Sequence, residues 1–99
     1  MNKVASSNSG VIETVTIIRL ETAPEIYANN NVKVTFKDRL GNINDKFYLA
    51  YPDKNIEGIG LYNTLLSALV QSIEVTLKTT GYVEEHGYGF ISGVIIDAI

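Results

Sequence analysis

The single histidine of the chain, His86, stands in the run EEHGY, directly after Glu84 and Glu85. Carboxylates beside an imidazole are the raw material of a metal site or of general acid–base chemistry. The spacing argues against both. Neighbours in an extended run point apart, so these three would share a metal only if the loop folded back, and metal sites collect three or four ligands at set intervals. A nucleophile–histidine–acid set would require His86 to reach a Ser or Thr across the fold, and no spacing arranges this. The segment GIGLYN lacks the lysine of a phosphate loop and the third glycine of a dinucleotide fingerprint. There is no cysteine, which excludes disulfides and thiolate chemistry. The sequence therefore reads as non-enzymatic, with no metal and no cofactor.

Six tyrosines against no tryptophan offer a different chemistry. A tyrosine presents a flat apolar face to a sugar ring and a hydroxyl to its polar edge. Tyr82 and Tyr88 bracket a glycine-containing loop, and Tyr27 lies in an earlier loop beside Asn29, Asn30 and Asn31, whose amides suit sugar hydroxyls. Tyr27, Asn30, Tyr82 and Tyr88 are thus candidate sugar contacts. The alternative is that these rings merely cover the ends of the fold.

Elements must hold these loops in place. Residues 1–9 are small and polar and read as a loose arm, with 10–99 as a single domain. VIETVTIIRL, after Gly10, is rich in Val, Ile and Thr and predicts a long strand. Its apolar residues fall on both faces, Ile12, Ile18 and Leu20 on one and Val11, Val15 and Ile17 on the other, which predicts cover on both sides. ETAPEIYANN is a loop. NVKVTFKD alternates, with Val32, Val34 and Phe36 on one face. A Gly-Asn pair suits the hairpin turn that follows, and DKFYLAYP is the partner strand. A helix is expected over about 59–72, with Asp53, Asn55 or Gly58 as possible caps. IEVTLKTT alternates again, with Val75 and Leu77 inward. FISGVIIDAI closes the chain, with Gly93 at a bulge or bend. The order strand-strand-strand-helix-strand-strand is that of the OB fold, a five-stranded Greek-key barrel. An α+β sandwich of the same order is the rival.

The helix is unusual in its lack of charge. Between Glu57 and Glu74 no residue is ionised, whereas a surface helix normally carries one charged face. Leu61, Leu65, Ala68 and Leu69 make one apolar stripe, enough to close a barrel. Tyr62, Leu66, Val70 and Ile73 make a second, and Asn63, Ser67 and Gln71 a narrow uncharged polar stripe. Either the wide stripe sinks into one core, or Tyr62, Leu66, Val70, Ile73, Asn63 and Ser67 meet further copies of the chain, since large bare apolar patches are unusual on monomers.

Charge narrows the partners. Net charge is −3 and the pI near 5.0. The eight basic residues are scattered, which disfavours nucleic acid and anionic membranes. No apolar run approaches the ~20 residues that span a bilayer. MNKVASSNSG is not a signal peptide. It fits an intact cytosolic start and equally a mature secreted or periplasmic chain with an added Met.

The run LYNTLLSALVQSIEVTL, then a glycine-containing loop and YGFISGVII, resembles the C-terminal half of the B subunits of the pertussis and subtilase cytotoxin group. The likeness covers about residues 58–97; the first half agrees in strand order. It implies an OB-fold subunit in a ring, usually a homopentamer, with helices facing the central pore, recognition of host-cell glycans, carriage of an A subunit, and a bacterial, secreted setting. The chain lacks the group's usual cysteines. Where sialic-acid-binding members carry a serine near the start of the first strand, this chain has Glu13 or Thr14. A glutamate repels a sialic carboxylate, so the resemblance points to a neutral sugar or to a lost sugar site. The other reading is a structural or assembly protein of the same fold making only protein contacts.

Overall fold

A computed structural model describes residues 10–22, 32–50 and 55–97, and side chains of the helix from residue 60 onward. Its elements are β1 (Gly10–Thr22), β2 (Val32–Lys37), β3 (Ile43–Leu49), α1 (Asn55–Gln71), β4 (Glu74–Val83) and β5 (Gly89–Ile95). The strands close into a barrel in the order β1-β2-β3-β5-β4. Every described seam is antiparallel except β3–β5, which is parallel. Closure excludes the sandwich and gives the OB-like barrel that the strand order predicts. The expected arm, 1–9, and the loop bearing Tyr27 and Asn30 lie outside the described residues, as does Asp53.

The barrel corrects the expectation of a first strand covered on both faces. β1 is long because it serves two seams, its first half against β4 and its second against β2. Register shifts fall between Ile12 and Val15 and between Ile17 and Arg19. An extra residue in a strand flips the alternation beyond it. Ile12, Val15, Ile17 and Leu20 therefore all pack on the core, drawn from both sets of the simple alternation. Val11 and Ile18 are left exposed on the outside.

Elsewhere the alternation holds. Val32, Val34 and Phe36 of β2 and Val75 and Leu77 of β4 are buried. A shift beside Gly93, between the pairs Lys78–Gly93 and Thr79–Ile91, confirms the expected bulge. The β2–β3 turn is built by Asp38, whose carboxylate accepts from the amides of Leu40 and Asn42 at 2.9 Å each. These bonds, that of Asn42 foremost, hold its carboxyl below the usual range.

Helix α1 closes one end. Leu61, Leu65 and Ala68 are buried and Leu69 half-buried against the core, as the first stripe predicts. The helix starts earlier than expected, at Asn55, and Gly58 lies within it rather than at its cap. It ends in a Schellman motif: Ile73 N donates to Ala68 O at 3.2 Å and Ser72 N to Leu69 O at 3.3 Å. Ser72 takes the left-handed conformation this cap requires, with φ 55°. The chain then turns straight into β4.

Candidate functional site

Among the described residues, the predicted sugar contacts fall in two places. Tyr82 and Tyr88 flank the β4–β5 loop, whereas Glu13 and Thr14 sit near the start of β4, where Val15 pairs with Val75. Tyr82 lies eight residue steps along β4 from Glu74, about 26 Å at ~3.3 Å per residue. Two places must therefore be weighed.

At the β4–β5 loop, Glu84 is the organiser. Its carboxylate accepts from the amides of His86 at 2.7 Å and Tyr88 at 3.0 Å, and meets His86 Nδ1 at 3.0 Å. The hydrogen bond that the imidazole makes to Glu84, with the charge of that carboxylate, raises the pKa of His86 above the ordinary 6.5. The EEHGY run thus closes a loop. Among the described residues, no group of three His, Asp or Glu side chains is placed to hold a metal. Tyr88 packs edge-on against Tyr48, centroids 5.1 Å apart, and Lys46 Nζ lies 5.2 Å from the Tyr88 centroid. Tyr48 is buried, and this desolvation raises its hydroxyl pKa. Tyr82 stacks on Phe90 at 6.1 Å and 20°, and is 54% exposed. Phe90 is level with Tyr48, so Tyr82, Phe90 and Tyr48 come from three neighbouring strands. Tyr88 thus packs on Tyr48, while Tyr82, stacked on Phe90 by one face, is the more open of the two rings.

At the other place there is a cleft of about 470 Å³. Thr76 of β4 makes its floor, paired with Ile95 on one side. On the other side Glu13 and Thr14 stand in the bulge opposite Thr76. Arg39, from the β2–β3 turn, and Ser72, Glu74, Ile96 and Asp97 complete the walls. Thr14 has φ 60°. Left-handed backbone is a genuine outlier for a β-branched residue and costs roughly 1–2 kcal/mol. The Ser72 conformation is explained by its helix cap, and that of Thr14 goes with the bulge in which it stands. Arg39 donates from Nε and Nη2 to both oxygens of Glu74, at 2.9 and 2.8 Å. That pairing keeps the Glu74 carboxyl below its usual range. The cleft therefore offers hydroxyls, carboxylates, a guanidinium and an aliphatic rim within a volume suited to a small ligand.

Sequence reasoning reached Thr14 but missed Arg39, Ser72, Thr76 and Asp97. These come from separate elements, and no local spacing joins them. A helix-ending serine followed directly by a strand was the one signal available.

On the helix, Asn63 and Ser67 are exposed. Leu66 is 38% and Val70 74% exposed, so half of the second stripe faces outward. Tyr62 and Ile73 are instead half-buried against the core; Ile73 lies beyond the last helical residue and tucks under the Schellman turn. Among the described residues, no helix is long and apolar enough to cross a membrane.

A scan against models of known protein families and a search of curated proteins each return no match to this chain.

Proposed function

We propose that the chain is a non-enzymatic sugar-binding subunit that associates with copies of itself. The observation that carries the sugar reading is the coincidence at Thr14. The position that the resemblance to toxin B subunits marks for sugar recognition lines a ligand-sized cleft. Self-association draws its support from α1 beyond Glu57, where Leu66 and Val70 are exposed and no residue up to Gln71 is ionised. In its wider form the proposal includes a ring, a pentamer first, secretion, and an A subunit carried on the ring.

The test pairs native mass spectrometry with a glycan array. The reading expects an oligomer that binds oligosaccharides, with binding lost in Thr14→Val, which keeps the side-chain shape and removes the hydroxyl. An oligomer with no glycan bound would favour the assembly-only reading, for which the same α1 face is the supporting observation. Binding that survives Thr14→Val but not Tyr82→Ala would move the site to the β4–β5 loop.

A further inference from the structure

We infer that the Thr14 cleft selects neutral, hydroxyl-rich ligands over carboxylated ones, and that the Arg39–Glu74 pair sets this preference; the inference rests on the sugar-binding reading of the same cleft. Arg39 is the one cation among the described residues that line it. A guanidinium recognises a carboxylate through two parallel N–H groups. That edge of Arg39 is already taken, because Nε and Nη2 both donate to Glu74. An incoming carboxylate would have to displace Glu74 or settle beside it.

The remaining charge opposes both routes. Glu74 and Asp97 line the cleft against the single guanidinium, so it is negative on balance. Glu13 is exposed on the bulge next to Thr14 and adds a further carboxylate nearby. A neutral polyol finds a complement at each wall. Its hydroxyls donate to Asp97 and accept from the rest of the guanidinium and from Thr14. Its C–H faces meet Ile95 and Ile96, both partly exposed. A ligand bearing only a cation would satisfy the carboxylates but face Arg39 and leave the hydroxyls unused.

Isothermal titration with a neutral oligosaccharide and its carboxyl-bearing counterpart, on wild type and Glu74→Gln, tests this. Wild type should bind the neutral ligand severalfold tighter. Glu74→Gln leaves an amide that cannot hold the guanidinium as an ion pair, and removes one negative charge. The neutral-over-carboxylated ratio should fall severalfold in that variant, the scale of an exposed ion pair, with circular dichroism unchanged. Wild type preferring the carboxylated ligand, or a ratio that Glu74→Gln does not move, would overturn the inference while leaving the sugar reading in place. No binding of either ligand, in wild type and variant alike, would remove both.

Discussion

The ring of Phe47 occupies the space that a β-carbon on residue 89 would need. A Cβ built on Gly89 would lie 2.6 Å from Phe47 Cε2. Gly89 pairs with Phe47 across the parallel β3–β5 seam and also with Val83 across β4–β5. Phe47 in turn packs on Phe36, centroids 5.6 Å apart. The absence of a side chain at 89 therefore lets the barrel close. Gly89→Ala should cost about 1–3 kcal/mol, the usual range for forcing a methyl into a packed space. Urea denaturation checks this; an unchanged midpoint would mean that Phe47 moves aside freely.

Helix α1 has an inner and an outer face with different consequences. Leu65 is fully buried, so Leu65→Ala should destabilise the fold by about 2–5 kcal/mol. Val70→Glu, on the exposed face, should leave the urea midpoint of the isolated subunit within about 0.5 kcal/mol. It should nevertheless dissociate the proposed oligomer in native mass spectrometry. If the assembly survives Val70→Glu, the contact lies elsewhere on the barrel.

Thr14 separates strain from recognition. Thr14→Gly removes the left-handed penalty, and the gain is offset by glycine's greater freedom in the unfolded chain. The net expectation is a rise in stability of up to about 1 kcal/mol with loss of sugar binding. Thermal unfolding and titration, run on the same sample, give both readouts. A destabilised Thr14→Gly would show that the threonine side chain holds the bulge together.

His86 reports on Glu84. Its pKa is raised in the folded chain by the Glu84 hydrogen bond and charge. The proton is thus held more tightly folded than unfolded. Its contribution to stability is complete below the ordinary 6.5 and is lost as pH rises through the higher folded value. In an NMR titration Glu84→Gln should return His86 toward 6.5 and remove this pH dependence. The same variant should loosen the loop at Tyr88, because a neutral amide accepts the amides of His86 and Tyr88 more weakly than a carboxylate does. A His86 pKa that stays raised in Glu84→Gln would transfer the effect to Glu85.

Local periodicity determined much of this protein. The alternation of Val32, Val34 and Phe36, the core stripe Leu61, Leu65 and Ala68, and the order of strands and helix were legible because side-chain direction follows backbone period. The absence of charge between Glu57 and Glu74 was likewise plain in the sequence, although α1 begins early enough to include Glu57. Tertiary structure alone decided the rest. Bulges in β1 reassigned which apolar residues reach the core, and a bulge is a register event between strands that one strand's pattern does not encode. The cleft joins Thr14, Arg39, Glu74 and Asp97 from distant parts of the chain, and barrel closure alone makes them neighbours. Barrel closure also parted Thr14 from Tyr82, placing them toward opposite ends of β4, a separation set by strand length and register rather than by residue type.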